Sequence, residues 1–441
     1  MTTCTLVLSL DLSNISGVPA PVEITVEIDR AAHGGFGVGR HEGRVVFVRH
    51  SLPGERVRAL VTDGADDARY WRADAVEVLS ASPDRVTAPC RYARPGQCGG
   101  CDWQHASLPA QRRLKAGVVQ EQLSRLAGIE WDVVVEPVPR HDDDQDDDGL
   151  GWRTRVTYAV DDEDRAGLRR HRSHEVIPIE ECLIAHPGVR SMGVEGRRWP
   201  GVESVESVTS SSGERLVVVE PGQLDVEVPD LPEDVSVLVG QDRGRPRVLH
   251  GQSAVTELAG GRRWRVTGGG FWQVHPGAAT TLTEAVLEAL APQPGERALD
   301  LYSGVGLFAA AIADRVGRGG RVTAIEGDRS AVADARHNLS DMPQVRIVSG
   351  PVAKILARDD DARADVVVLD PPRAGAKLAV VSAIARRRPR AIAYVACDPA
   401  ALARDLAALS THGYELAGLR AFDLFPMTHH VECVALVRPR A

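Results

Sequence analysis

Two side chains near the end of the sequence have the chemistry of a nucleophile and a base. Cys397 ends the apolar stretch AIAYVA, and Asp398 and Pro399 follow it as a helix cap and a first helical residue. A cysteine beside the positive end of a helix is expected to favour its thiolate form. Glu432 interrupts an apolar strand, where burying an unpaired carboxylate is costly. The pattern predicts a nucleophile and a catalytic acid or base, with a structural cysteine and a buried salt bridge as the alternatives.

A glycine-containing turn predicts a cofactor site upstream of these residues. The segment LDLYSGVGLFAAAIA has the pattern of a strand, a turn and a helix start, and Gly304 and Gly306 in the turn let the backbone approach a ligand. Glu326 closes the second strand, where a carboxylate accepts hydrogen bonds from ribose hydroxyls. Asp370, followed by two prolines, forms a rigid corner at the same edge of the sheet. The glycine pattern alone fits NAD and S-adenosylmethionine equally.

A thiolate, a carboxylate and an adenosyl cofactor together suggest methylation of a carbon that is not nucleophilic by itself. Uracil C5 is such an atom, because attack of Cys397 on C6 converts the ring to an enolate whose C5 accepts a methyl group. Glu432 would then remove the C5 proton before the thiolate leaves. Two alternatives stay open: methylation of cytosine C5, and a non-catalytic RNA-binding protein that keeps the sheet as a scaffold.

Four cysteines outside this region predict a metal site. Cys90, Cys98 and Cys101 lie within a dozen positions, and Cys182 is the other cysteine of the middle region. A disulfide would leave one of the first three unpaired, whereas a C-x-x-C pair has the spacing at which two sulfurs share one metal. The four thiols would join two distant pieces of chain.

Composition sets the class of protein. The chain has 441 residues and 43% hydrophobic content, which is enough for two or three packed domains. Neither a signal peptide nor an apolar run of about 18 residues is present, so we expect a cytoplasmic protein without membrane association, and a monomer. The net charge of −9 argues against binding nucleic acid by bulk charge alone. Six of the acids form an aspartate-rich run at 142–148, which is typical of a solvated linker.

The residue pattern predicts three domains after a flexible tail at 1–20. Residues 21–82 have short alternating strands with Gly and Pro turns, which favours a small β-barrel. Residues 83–270 form a mainly β central domain with the four cysteines, in which a helix at 107–129 would pack on the catalytic domain. Residues 271–441 alternate apolar strands with helices, which predicts an α/β domain with a doubly wound, mostly parallel sheet.

Two resemblances support this organisation. The stretch GGFGVGRHEGRVVFVRHSLPGERV resembles a TRAM domain, an OB-like RNA-binding module. The order of CGGCDWQH, FWQVHP, DLYSGVGLF, DPPRAG, CDP and FPMTHHVE resembles the RNA 5-methyluridine methyltransferase family. The match is to the branch that carries a TRAM domain and a four-cysteine iron–sulfur cluster.

The family resemblance implies a class I methyltransferase fold, S-adenosylmethionine as cofactor, and RNA as partner, with a uridine of large-subunit rRNA as the target. It identifies Cys397 as nucleophile and Glu432 as base. It implies cofactor contacts at Gln273, Tyr302, Glu326 and Asp370. It also implies that Cys90, Cys98, Cys101 and Cys182 hold a cluster of the 4Fe-4S type, and iron in place of zinc follows from this resemblance alone.

Three positions depart from the family pattern. Leu307 stands where many members have a cofactor-contacting Asn, and Pro351 stands where a polar contact near the adenine is expected. Asp398 replaces the Asn often found after the nucleophile, and it would either cap the helix or raise the pKa of the thiol through its charge. We therefore expect the grip on the cofactor to rely more on Glu326 and Asp370.

Overall fold

The protein folds into two compact units. The computed structural model describes residues 22–65, 68–140, 148–222, 226–240, 246–358 and 363–440. The predicted tail at 1–20 and the aspartates at 142–147 lie outside these residues. Within them, the smaller unit takes the chain up to 30 and 37–82, and the larger unit takes 31–36 and the residues from 83 onwards. Among the helices of this described part, none is long and apolar enough to cross a membrane.

The smaller unit is built on a closed five-stranded barrel, as predicted. Its strands are β1 (Glu23–Ala32), β2 (Phe36–His41), β3 (Arg44–Arg49), β4 (Arg56–Asp63) and β5 (Tyr70–Ser80), paired in the order β1-β2-β3-β5-β4. Alternate residues of β1 are buried, so that Ile24, Val26 and Ile28 contribute to the barrel core. A Cβ atom at Gly39 would collide with the carbonyl oxygen of Glu27, and glycine therefore permits the close approach of these strands.

In the larger unit, the cysteine segment leads into helix α1 (Leu108–Ala127) and the short strand β6 (Val135–Pro137). The helix follows Ser107 and ends where Gly128 adopts the left-handed conformation with φ 63°. Its buried face does not follow hydrophobicity alone, because Leu126 is exposed while Lys115 is buried. Lys115 is buried because it pairs with Asp423, a residue of the eight-stranded sheet described below.

A second sheet of seven strands packs its own core in the middle of the chain. The strands are β7 (Arg155–Val160), β8 (Ala166–Arg169), β9 (Val176–Pro178), β10 (Val202–Thr209), β11 (Arg215–Pro221), β12 (Val235–Val239) and β13 (Arg247–His250), with the short helix α2 (Pro187–Arg190) after β9. Their order is β13-β12-β11-β10-β7-β8-β9. A hairpin of β14 (Ala254–Ala259) and β15 (Arg262–Thr267) follows. Buried Trp152, Tyr158 and Trp199 contribute to the core of this region.

The catalytic sheet has eight strands in the order β18-β17-β16-β19-β20-β22-β21-β6. Its later strands are β16 (Arg297–Leu301), β17 (Arg321–Glu326), β18 (Val345–Ser349), β19 (Val366–Leu369), β20 (Ala391–Ala396), β21 (Tyr414–Asp423) and β22 (Glu432–Pro439). The helices of this region are α3 (Ala278–Leu290), α4 (Leu307–Val316), α5 (Arg329–Asn338), α6 (Val352–Arg358), α7 (Lys377–Arg386) and α8 (Pro399–Thr411).

This sheet confirms the predicted doubly wound, mostly parallel arrangement. Strands β16 to β20 run parallel, whereas β22 is antiparallel to both of its neighbours. All residues of β19 and β20 are buried, which explains their continuous apolar sequences. The strand order reverses between β16 and β19, and in such sheets a crevice opens at the carboxyl ends of the strands on either side of the reversal.

A buried ion pair fixes α1 to the catalytic sheet. Lys115 Nζ donates to Asp423 Oδ1 at 2.5 Å and to the carbonyl oxygen of Phe425 at 3.0 Å. The side chains of Lys115 and Asp423 are 0% and 2% exposed, respectively. Because Asp423 ends β21, this pair sets where the chain leaves the sheet before it returns in β22.

Replacing Lys115 with Met should lower the free energy of unfolding by about 3–5 kcal/mol, because Asp423 would remain buried without its cation. Urea denaturation followed by tryptophan fluorescence measures this loss. The double variant Lys115→Met with Asp423→Leu should recover most of it, since an apolar pair replaces both charges. A loss below about 1 kcal/mol in the single variant would show that the pair does not hold the helix.

Candidate active site

A cavity of about 1310 Å³ lies at the carboxyl ends of β16, β17, β19 and β20 in the larger unit. It is lined by seven of the eight residues predicted for catalysis and cofactor binding: Gln273, Tyr302, Gly304, Glu326, Asp370, Cys397 and Glu432. They come from six separate segments of the chain, and the parallel strands bring four of these segments to one edge. The eighth residue, Gly306, does not line the cavity and packs against Leu339.

The two glycines of the turn between β16 and α4 have different structural roles. Gly304 has φ 53°, and a Cβ atom built there meets nothing within 4 Å. Its backbone N–H donates to Glu326 Oε2 at 2.9 Å, which ties the turn to the end of β17. Gly306 has φ 98°, and a Cβ atom there would lie 2.6 Å from Leu339 Cδ1. Gly304 therefore keeps the cavity open, whereas Gly306 permits helix packing behind it.

Asp370 and Glu432 line the cavity, Asp300 is buried in the neighbouring strand β16, and the pKa of all three carboxyl groups is raised. Burial raises the pKa of Asp300 to about 8, and the charges of Asp370 and Glu326 add to this effect. Burial also raises the pKa of Asp370. The pKa of Glu432 is raised first by burial and then by Asp370, while Arg373 opposes the increase. Such a cavity favours a cationic ligand, because a positive charge stabilises the ionised form of each group.

Cys397 lies directly after β20 and is partly buried. Burial is the largest cause that raises the pKa of its thiol to about 12, followed by the negative charges of Glu432 and Asp370. The sequence-based expectation that the helix end favours a thiolate is therefore wrong for the protein without ligands. Desolvation and two carboxylates outweigh the helix, and Arg373 acts in the opposite direction.

Asp398 caps helix α8, one of the two roles considered for it. Its Oδ1 accepts a hydrogen bond from the backbone N–H of Ala401 at 2.7 Å, and its Oδ2 lies 3.2 Å from His33 Nε2. Burial alone would raise the pKa of Asp398, but the hydrogen bonds from His33 and Ala401 lower it. The first residue of α8, Pro399, fits the cap as predicted.

Two residues of the cavity were not singled out from the sequence, although both lie in the motifs quoted above. Arg373 follows the two prolines of DPPRAG, and its Nη2 lies 3.5 Å from His430 Nε2. Burial, followed by the neighbouring His429 and Arg373, lowers the pKa of His430 to about 3, so this imidazole is neutral at pH 7. Asp300 was missed as well, although a carboxylate within the apolar strand RALDL is the same signal that marked Glu432.

An aromatic side chain stands open at the cavity. Phe271 lines it and is 67% exposed, unlike Trp272 beside it, which is buried. The backbone just before Phe271 is fixed by a hydrogen bond, because Arg155 Nη1 donates to the carbonyl oxygen of Gly270 at 2.7 Å. An exposed ring on a fixed backbone is a stacking surface for a planar base.

Three of the four predicted metal-binding thiols lie close to one another. Burial raises the pKa of both Cys101 and Cys182, to about 11 for Cys182, and negative charge on Cys98 adds to both effects. The fourth, Cys90, is connected through Gln104, whose Oε1 accepts from the Cys90 backbone N–H at 3.0 Å. Within the described residues, no group of three or more His, Cys, Asp or Glu side chains is arranged to hold a metal ion.

Comparison with known families supports this assignment of the fold. Residues 355–440 match the family model for tRNA (Uracil-5-)-methyltransferase, residues 278–392 match a methyltransferase small domain, and residues 22–76 match a TRAM domain. In solved structures, the tRNA (uracil-54, C5)-methyltransferase of Pyrococcus abyssi in complex with S-adenosyl-L-homocysteine covers 93% of this chain and 100% of its own, with a TM-score of 0.68 and 23% identity.

Two curated relatives are similar along almost the whole chain. An uncharacterized RNA methyltransferase of Streptomyces avermitilis is 55% identical, over 95% of this chain and 99% of the relative. Another from Streptomyces coelicolor is 52% identical, over 95% and 93% respectively. The chain therefore belongs to the RNA methyltransferase family of these relatives, and residues 355–440, which carry Cys397 and Glu432, are similar to the tRNA (Uracil-5-)-methyltransferase family model.

Proposed function

We propose that the protein transfers a methyl group from S-adenosylmethionine to C5 of a uridine in RNA. The observation that carries this proposal is that the thiol of Cys397 and the carboxylate of Glu432 line one cavity with the glycine turn. Ala396 of β20 pairs with Cys433 of β22, so Cys397 and Glu432, the next residues on each side, lie at the adjacent ends of two neighbouring strands. An RNA-binding scaffold has no need of a buried carboxylate beside a thiol.

The residues around the glycine turn fit this cofactor. Glu326 ends β17 and already holds the turn through Gly304, a position that suits ribose hydroxyls. Tyr302, Gln273 and Asp370 line the same space. When bound, S-adenosylmethionine supplies a methyl group on a positively charged sulfur. The surrounding carboxylates favour this cation and disfavour a neutral or anionic ligand.

The reaction uses Cys397 as the nucleophile. Its thiolate forms a bond to C6 of the uracil, the C5–C6 double bond breaks, and the electrons move onto the C4 carbonyl to give an enolate. C5 would then form a bond to the methyl group as the bond from that methyl to the sulfonium sulfur breaks, and the electron pair of the broken bond stays on sulfur, so that the donor leaves as the neutral thioether S-adenosylhomocysteine. Glu432 takes the C5 proton, the double bond re-forms, and the thiolate leaves C6. The raised pKa of Glu432 suits a group that must accept a proton near neutral pH.

RNA recognition involves stacking at the entrance. A target uracil must leave its stack to reach Cys397, and the exposed ring of Phe271 offers a replacement surface. Large-subunit rRNA is the proposed substrate, since the chain resembles the branch that combines a TRAM domain with four cysteines. Transfer RNA is the substrate named for the structural neighbour, and it serves as the comparison in every assay.

The Cys397→Ala variant should form no covalent complex with 5-fluorouridine-containing rRNA, because the bond to C6 requires the thiol. The Glu432→Gln variant should instead accumulate a covalent complex with ordinary rRNA, because the C5 proton cannot leave. Denaturing gels with labelled RNA detect both species. Cys433→Ala is the control, since that thiol lies in the core.

A complex that persists in Cys397→Ala would overturn the assignment of the nucleophile. Nucleoside mass spectrometry of the product separates 5-methyluridine from 5-methylcytidine, and 5-methylcytidine would favour the cytosine alternative. If the wild-type protein binds S-adenosylmethionine but methylates neither rRNA nor tRNA, the proposed substrate is wrong.

Alkylation of Cys397 by iodoacetamide should rise about tenfold per pH unit from about pH 7 to pH 10 in the ligand-free protein. A thiol whose pKa is raised to about 12 gains thiolate throughout this range, and the thiolate is the reacting form. At about pH 9, Glu432→Gln should react faster, since it removes a negative charge, and Arg373→Met should react more slowly. Peptide mass spectrometry measures the rates. A plateau below about pH 8 would contradict the raised pKa.

We further propose that Cys90, Cys98, Cys101 and Cys182 hold an iron–sulfur cluster. Four thiolates are the usual donor set for such a cluster, and the backbone N–H of Gly100 donates to Cys98 Sγ at 3.3 Å, as N–H groups do beside cluster sulfurs. Gln104 connects the fourth cysteine to this group, because its side chain contacts both the Cys90 backbone and the Cys101 thiol.

Protein purified without oxygen should contain iron and acid-labile sulfide, and Cys182→Ser should lose most of both. Elemental analysis and the visible absorption spectrum measure the loss. Cys433→Ser is the matched control, because Cys433 is also buried and lies in a different core. If the wild-type protein contains zinc and no sulfide, the cluster proposal is wrong and the four cysteines form a zinc site.

A further inference from the structure

Hydrogen bonds connect the segment after Cys101 and helix α1 to residues 425–430, which we call the catalytic loop. The backbone N–H groups of Asp102 and Trp103 both donate to the carbonyl oxygen of Met427, each at 3.0 Å. The N–H of Met427 donates to Gln111 Oε1 at 2.7 Å. His429 completes the set through its backbone N–H and its ring Nδ1, which lie 3.1 and 2.6 Å from Asp102 Oδ2.

These bonds are shielded from water. Asp102 is 6% exposed, Met427 5% and Gln111 0%. Because a carboxylate oxygen accepts, the 2.6 Å contact places a proton on Nδ1 of His429. Met427 has φ 69°, a conformation that a side chain adopts only where its surroundings impose it. The loop therefore depends on the cysteine segment for its shape.

The catalytic loop determines the position of groups in the cavity. Thr428 Oγ1 accepts the backbone N–H of His430 at 3.2 Å, and both side chains line the cavity with Cys397. Glu432 follows two residues after His430, at the start of β22. A shift at His429 thus moves one wall of the cavity and the residue that leads to the carboxylate.

Asp102 has little freedom to move. A Cβ atom at Gly35, which belongs to the same compact unit, would lie 2.8 Å from both Cβ and Cγ of Asp102. Gly35 has φ 81°, so glycine is favoured there for its backbone conformation as well. The aspartate is held between this glycine and the catalytic loop.

We propose that Asp102 is a positioning residue for the catalytic loop, and that it couples the geometry of the cysteine site to the arrangement of Cys397 and Glu432. Its neighbour in the chain, Cys101, belongs to the proposed thiol site, so a change in that site reaches the loop through one peptide unit. The reaction that this coupling serves is the proposed methyl transfer. The contacts themselves do not depend on that reaction.

The test compares Asp102→Ala and Asp102→Asn in the full-length protein. Asp102→Ala should lower kcat by about 10- to 100-fold, because reacting groups lose their alignment, while the dissociation constant for S-adenosylmethionine changes less than about twofold. Asp102→Asn should recover most of the loss, since its amide oxygen still accepts from His429. Asp132→Ala, at an exposed aspartate of the same unit, is the control.

Hydrogen exchange measured by mass spectrometry gives a readout independent of the reaction. Asp102→Ala should speed exchange in peptides covering 425–430 while the strands of the catalytic sheet stay protected. An unchanged kcat or unchanged exchange in this loop would overturn the proposal, and so would faster exchange spread over the whole larger unit. If the wild-type protein methylates no uridine, the proposed function fails, and the exchange comparison still decides the role of Asp102.

Discussion

Burial of negative charge around one small volume is the constraint on which the rest of the site depends. Asp300, Asp370 and Glu432 are buried in neighbouring strands or at their ends. Asp370 raises the pKa of Asp300, Glu432 and Cys397, and Glu432 also raises the pKa of Cys397. Arg373 opposes this charge at Glu432 and Cys397. In the proposed reaction, a cationic cofactor would offset the negative charge of these carboxylates. Its positive charge would lower the pKa of the Cys397 thiol, so the thiol would become more reactive when the methyl donor is bound.

The fold holds these groups together by fixing strand ends and the segments after them. Parallel strands place Glu326, Asp370 and Cys397 at one edge, whereas Glu432 arrives from an antiparallel strand. The paired residues of β21 and β22 end at Asp423 and begin again at Glu432, so strand pairing does not define the segment between them. Contacts from outside the sheet fix it instead, through Lys115 at its beginning and the residues after Cys101 at its middle. The cysteine region thus belongs to the architecture of the active site.

Local patterns in the sequence were sufficient for the barrel, the parallel sheet and several residues of the cavity, because apolar runs, glycine turns and misplaced polar residues are local signals. Gln273 and Tyr302 followed only from the family resemblance, and Arg373 and His430 were missed. The thiol was different: proximity to a helix end predicted a thiolate, but desolvation and two carboxylates from distant segments determine its pKa. Lys115 and Gln111 were likewise unpredictable as core residues, since their partners lie about 310 positions away. Long-range pairing of polar groups leaves no periodic trace in one sequence.

Because β6 pairs with β21, the methyltransferase sheet includes a strand from an earlier part of the chain. Residues 135–137, which precede the seven-stranded sheet in the chain, form the outermost strand of the catalytic sheet, beside Ala421–Asp423. A fragment starting at 271 would therefore present an open strand edge and an uncompensated carboxylate at Asp423. The transferase half cannot be exchanged between proteins as an independent cassette, and gene fusions or truncations would have to carry the preceding helix and strand along with it.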